Sequence, residues 1–75
     1  MKIFKISCID SKTKLTMILS EVSYNNACFW LYSKGFTDPE KTTTNYQENT
    51  TTLEFSKPHK MIFVYDENRG YLMAK

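Results

Sequence analysis

The chain has 75 residues, of which 41% are hydrophobic and 15% aromatic, and its formal net charge is +2, a composition typical of a folded globule rather than of a disordered tail. A chain this short buries only about 60% of the surface that its unfolded form exposes, so its core is thin and leaves little room for an active-site cleft. We therefore expect one domain over residues 1–75 and a non-enzymatic function.

The first predicted element is an N-terminal β-hairpin. Apolar and polar side chains alternate over residues 2–9 and again over residues 15–20, as they do in strands. The polar cluster over residues 10–14 supplies the turn between the two strands.

One helix follows, beginning after Ser23 and ending at Gly35. A serine hydroxyl can accept an orphan backbone N–H of the first turn, and a glycine readily adopts the left-handed conformation that ends a helix. At about 100° per residue, four side chains fall on one face in the i, i+3, i+4, i+7 pattern. They are Tyr24, Ala27, Cys28 and Leu31. We expect this face to dock on the sheet.

Three or four antiparallel strands complete the prediction. The Thr-rich segment 42–52 favours two polar strands around a turn near Glu48 and Asn49, because β-branched threonine suits a strand. Residues 61–65 are apolar throughout, which indicates a central strand, and residues 66–73 supply a turn and a last strand. The predicted fold class is α+β, a small single domain in ββαβββ-like order.

No set of titratable side chains forms a recognisable catalytic, metal or cofactor site. His59, the single histidine, follows Pro58 in a turn, and nothing in the sequence brings it to a cysteine nucleophile. The two cysteines do not show the closely spaced pairs typical of zinc sites. Gly35 and Gly70 are the only glycines, which excludes a Gly-rich phosphate loop. We predict no catalytic residue, no metal and no cofactor.

The sequence also indicates a cellular compartment. No apolar run approaches the roughly 20 residues that a membrane-spanning helix needs, and the N-terminal segment contains no cleavable hydrophobic stretch. We therefore expect a cytoplasmic protein with no membrane partner. Cys8 and Cys28 lie among apolar neighbours, where a free thiol behaves as a small hydrophobe. We predict that both are reduced core residues rather than a disulfide.

Aromatic side chains on the outer side of the helix are the main candidate for a binding site. Phe29 projects almost opposite the predicted docking face, Trp30 lies on its flank, and Tyr32 could extend an exposed apolar patch. Such aromatic side chains are over-represented at the energetic centres of protein interfaces. The Thr-rich segment could instead fold back and cover them. We predict a protein partner at these three residues, with the acidic pair Asp66 and Glu67 as a second contact.

The basic N-terminal hairpin supports an alternative, nucleic-acid binding. Residues 1–14 carry four lysines and one aspartate, a charge of +3, whereas residues 15–75 carry six basic and seven acidic side chains, a charge of −1. A basic edge can follow a phosphate backbone, although lysines on edge strands also keep sheets from pairing with one another. The candidate nucleic-acid residues are Lys2, Lys5, Lys12 and Lys14.

In its small size and its content of Lys, Asn, Thr and Tyr, the chain resembles the accessory proteins of phages with AT-rich genomes. That resemblance implies a protein that binds a host enzyme and inhibits or modulates it. Self-association into a homodimer through a strand edge or the helix patch is compatible with either binding hypothesis.

Overall fold

The computed structural model describes the backbone of residues 2–10 and 15–75, and the side chains of Ile3 and of residues 16–75. Over this part of the chain, one helix and six strands follow one another. They are β1 (Lys2–Asp10), β2 (Leu15–Ser20), α1 (Tyr24–Ser33), β3 (Lys41–Asn45), β4 (Thr50–Phe55), β5 (Met61–Asp66) and β6 (Tyr71–Ala74). The predicted α+β fold is confirmed, with four strands after the helix.

The strands form one antiparallel sheet in the order β1-β2-β6-β5-β4-β3. The central strands of this sheet are β6 and β5, so the apolar segment 61–65 is central, as predicted. The connection that contains α1 carries the chain from β2, beside one edge, to β3, at the other. The edges of the described sheet are therefore β1 and β3.

The local sequence fixes both ends of α1. The Ser23 hydroxyl accepts a backbone N–H of the first turn at 3.2 Å, as predicted for an N-cap. Gly35 has a φ of +93°. The N–H groups of Gly35 and Phe36 donate to the carbonyls of Tyr32 and Leu31 at 3.0 and 2.9 Å. This Schellman arrangement satisfies two orphan carbonyls and directs Phe36 into the core.

The core lies between α1 and one face of the sheet. Its buried side chains come from the helix, the segments that flank it and four strands. They are Leu19, Val22, Ala27, Leu31, Phe36, Leu53, Phe55, Phe63, Tyr65 and Leu72. Phe36, Phe55 and Phe63 pack edge to face, with ring centroids 5.1 to 5.9 Å apart. Each such pair adds about 0.5–1.5 kcal/mol beyond the area that it buries.

The helix face that docks on the sheet differs from the prediction at one edge. Ala27 and Leu31 are buried, and Tyr24 packs partly buried beside them, as expected. Cys28 is only half-buried, with a free thiol, whereas Trp30 on the opposite flank packs against the core. The helix is thus rolled toward Trp30, because the large indole ring buries more apolar surface than the small thiol.

Strand β2 departs from the predicted alternation. Met17 lies opposite Met73 of β6, Leu19 lies opposite Leu72, and the register shifts between the two pairs. Because Leu72 and Met73 are consecutive, they face opposite sides of the sheet. The irregularity therefore places Met17 and Leu19 on opposite faces, and Leu19 enters the core beneath α1. A β-bulge of this kind cannot be recognised from an alternating sequence.

Tyr65 joins the centre of the sheet to the segment that leads into α1. Its hydroxyl donates a buried 2.7 Å hydrogen bond to the Val22 carbonyl, and its ring meets Tyr24 edge to face at 5.5 Å. The Val22 N–H donates in turn to the Gly70 carbonyl at 3.1 Å. These contacts fix the start of the helix over the sheet.

The Tyr65 hydrogen bond gives a testable expectation for stability. Tyr65→Phe removes the buried donor to the Val22 carbonyl, so we expect the free energy of unfolding in urea to fall by about 1–3 kcal/mol. Tyr46→Phe is the matched control, because it removes a hydroxyl from a ring that is 86% exposed, and should change stability by less than about 0.5 kcal/mol. Equal losses in the two variants would contradict a stabilising role for this bond.

Candidate functional site

An open groove of about 530 Å³ lies between one side of α1 and the β3–β4 edge of the sheet. Buried core side chains, among them Leu53 and Phe55, form its floor. Thr37 and Pro39 of the loop after the helix and Thr42 of β3 line it on the sheet side. Within the described part of the chain, the residues that line this groove carry no formal charge. An apolar group is therefore the natural occupant.

The helix side of the groove carries an exposed aromatic pair, Phe29 and Tyr32. Their side chains are 65% and 52% exposed, and their rings meet edge to face with centroids 6.4 Å apart. The pair is three residues apart on α1, so both rings stand on the same side of the helix. The Thr-rich segment does not cover them, because it forms β3 and β4 on the sheet side of the groove.

Trp30 does not lie in this groove. It packs partly buried against the core, and the Lys34 ammonium lies 5.6 Å from the centroid of its ring. Successive helical residues are separated by about 100°, so Trp30 projects to the flank away from Tyr32. The structure thus separates Trp30 from Phe29 and Tyr32, and truncating Trp30 would perturb the core as well as any interface.

The two acidic residues Asp66 and Glu67 have different surroundings. Asp66 Oδ1 accepts the backbone N–H groups of Asn68 and Arg69 at 3.0 and 3.2 Å, so this side chain holds the β5–β6 turn. Glu67 is exposed, and its backbone N–H donates to the Asn49 carbonyl at 2.9 Å. A 3.1 Å bond between the side chains of Asn49 and Asn68 also joins the β3–β4 and β5–β6 turns.

The Tyr24 phenol lies at one end of the groove, in a partly buried environment that disfavours its charged form. Burial raises the pKa of the Tyr24 phenol above its ordinary value, and the neighbouring Cys28, Tyr32 and Glu67 groups raise it further. Burial followed by Glu67 likewise raises the pKa of Tyr65. A carboxylate has this effect because its negative charge disfavours a nearby phenolate. The Tyr24 phenol at this end of the groove therefore stays neutral near neutral pH.

The basic residues of the alternative hypothesis are not brought to this site. Lys2 and Lys5 belong to β1, at the edge of the sheet opposite β3. Their side chains, and the whole of Lys12 and Lys14, fall outside the described residues. The Cys8 side chain falls outside them as well. Nucleic-acid binding by the hairpin stays a prediction.

The helical period predicted an exposed position for Phe29 and Tyr32, but it did not predict the groove or the residues of its sheet side. Thr42, Leu53 and Phe55 come from β3 and β4, which approach the helix only after the chain has crossed the sheet. The alternation of polar and apolar residues in these segments predicts strands, but it does not predict that the helix packs against them. His59, the single histidine, is an exposed side chain whose ring lies 5.4 Å from that of Phe36.

No protein family model, curated protein or solved structure matches the chain. Within residues 2–10 and 15–75, no helix is long and apolar enough to cross a membrane. In the same part of the chain, no group of three or more His, Cys, Asp and Glu side chains is placed to hold a metal ion. The candidate site therefore stands on the geometry and chemistry of the groove.

Proposed function

We propose that this chain is a small non-enzymatic module that works in the cytosol by binding another protein, as a phage-type inhibitor or modulator of an enzyme. The observation that carries the proposal is the exposed pair Phe29 and Tyr32 on the wall of an uncharged groove of about 530 Å³. Aromatic side chains supply much of the energy of protein interfaces, because each buries a large apolar area when a partner covers it.

The position of the pair also favours a binding role over a structural one. Both rings belong to a helix that is already docked through Ala27 and Leu31 and capped at both ends. Their exposed surface adds little to the stability of the fold, because it stays in contact with water in the isolated chain. A partner that covers the two rings and places an apolar side chain in the groove would remove this surface from water.

The double variant Phe29→Ala with Tyr32→Ala tests this function. We expect its free energy of unfolding to stay within about 1 kcal/mol of the wild type, because both side chains are exposed and alanine favours a helix. Capture by the tagged chain followed by mass spectrometry would identify the partner. Calorimetry on the purified pair should then show affinity lowered by about 2 kcal/mol or more in the double variant, roughly 30-fold.

Ile3→Ala provides a matched control. Ile3 is 65% exposed, as Phe29 is, but lies on β1 at the other edge of the sheet, so this variant should bind like the wild type. Equal losses in the control and the double variant would contradict a site at the groove. Capture that is abolished by nuclease, with an affinity that falls steeply with salt, would instead favour the lysines of the hairpin.

A further inference from the structure

The groove is bordered by an edge strand with few of the features that usually block strand pairing. All five residues of β3 are exposed, and they pair with β4 in five consecutive positions without a register shift. The opposite edge, β1, has two register shifts against β2. Bulges, prolines and several charges normally protect an edge, whereas β3 has only Lys41. Among the described residues, this regularly paired edge can offer its outward-facing backbone groups to another strand.

The side chains of such a strand would reach the groove. Thr42 lines the groove and therefore faces the helix side of the sheet, and Thr44 shares that side because side chains alternate along a strand. A residue directly opposite either threonine on an added strand would face the same way. Two side chains, two positions apart, would thus project over the groove toward Phe29 and Tyr32.

We propose that the partner binds as an extended segment that adds a seventh strand to β3, with two alternate apolar side chains entering the groove. The inference rests on the proposed function and specifies the form of its partner. Main-chain hydrogen bonds to β3 would supply affinity, and the groove would select the side chains.

The charged residues around the groove indicate which residues should flank the apolar part of this segment. Asp38 and Glu40 flank the groove residue Pro39 at one end of β3. Glu48 lies in the turn at the other end, next to Asn49, whose carbonyl accepts the Glu67 N–H. The one base of the strand, Lys41, pairs opposite Glu54 on the face away from α1. An uncharged groove between acidic ends complements an apolar segment flanked by lysine or arginine.

The same charges disfavour a second copy of this chain as the occupant. Asp38 and Glu48 both lie just outside β3, and antiparallel pairing of two β3 strands about Thr43 would bring Asp38 of one copy toward the Glu48 turn of the other. Like charges brought together in this way repel one another. A second copy is therefore the less favourable occupant, and we take the partner segment to belong to a different sequence.

A random nine-residue peptide library, selected against the purified full chain, tests the inference. We expect enriched peptides to carry apolar residues at positions i and i+2 and basic residues toward their ends. On binding, amide groups of β3 should shift in NMR spectra and become protected from hydrogen exchange. Peptides that lack this pattern, or that bind without changing the β3 amides, would overturn strand addition, and so would a selection that enriches no peptide.

Backbone methylation of an enriched peptide provides a matched pair of controls. Consecutive N–H groups of a strand point to opposite sides, so one alternate set faces β3 and the other faces solvent. Methylating the first set should weaken binding about tenfold or more, because it removes main-chain hydrogen bonds to β3, while methylating the second set should have little effect. These changes leave the protein itself unaltered.

The outcomes separate this inference from the proposed function. If the two methylated sets weaken binding equally, strand addition is overturned. If the Phe29→Ala and Tyr32→Ala double variant still loses binding in that case, the groove remains the site. If only the set that faces β3 weakens binding, and the double variant binds like the wild type, the role of the aromatic pair is overturned. A doubled mass in light scattering, with β3 amides protected in the absence of peptide, would make a second copy the occupant and overturn the inference.

Discussion

Replacing Phe63 with alanine should lower the free energy of unfolding by about 3–5 kcal/mol. The side chain is 3% exposed, and its ring lies 5.1 Å from that of Phe36 and 5.9 Å from that of Phe55. Alanine would leave a cavity at the point where α1, β4 and β5 meet. Because small domains are stable by only about 5–15 kcal/mol, urea denaturation followed by circular dichroism should show a large shift of the midpoint.

Val64→Ala is the control for this variant. Val64 is the next residue of β5, so it faces the other side of the sheet, where it is only half-buried. We expect a loss of about 1 kcal/mol or less from this change. If Phe63→Ala lowered the free energy of unfolding no more than Val64→Ala does, the core would not lie on the face of the sheet that carries Phe63.

Leu31→Ala should lower the free energy of unfolding by about 2–5 kcal/mol. Leu31 is 1% exposed, the lowest value in the helix, so alanine would leave a cavity between the helix and the sheet. The same side chain lines the groove, so we also expect weaker binding of the partner. The free energy of unfolding in urea measures the first effect, and calorimetry measures the second.

Two variants of the same helix control for Leu31→Ala. Asn26→Ala alters an exposed position and should change stability by less than about 0.5 kcal/mol. Leu31→Met roughly conserves volume and should cost less than about 1.5 kcal/mol. If Leu31→Ala were as mild as Asn26→Ala, α1 would not be docked through this residue.

The elements of the fold could be predicted because their signals are local. Ser23 and Gly35 mark the ends of the helix, and threonines mark β3 and β4 around their turn. The apolar run of β5 indicated a central strand because both of its faces are covered: Phe63 and Tyr65 enter the core while Val64 is half-buried on the other side.

The site could be predicted only in part, because it depends on contacts between distant segments. The helical period places Phe29 and Tyr32 away from the docking face, but it cannot fix how far the helix is rolled, and so it did not separate Trp30 from them. Strand order was not predictable either, since alternation in Thr42 and its neighbours does not say which strand becomes an edge.

The place of β6 in the sheet has a consequence for the order in which the chain folds. It is the last strand in chain order, yet it lies between β2 and β5 and is the link between the β1–β2 hairpin and the β5–β4–β3 half of the sheet. Until Leu72 pairs with Leu19, the two halves leave apolar strand edges open. Bringing Leu72 to Leu19 joins segments that are far apart in the sequence, which slows folding, so we expect the two halves of the sheet to join in a late, cooperative step.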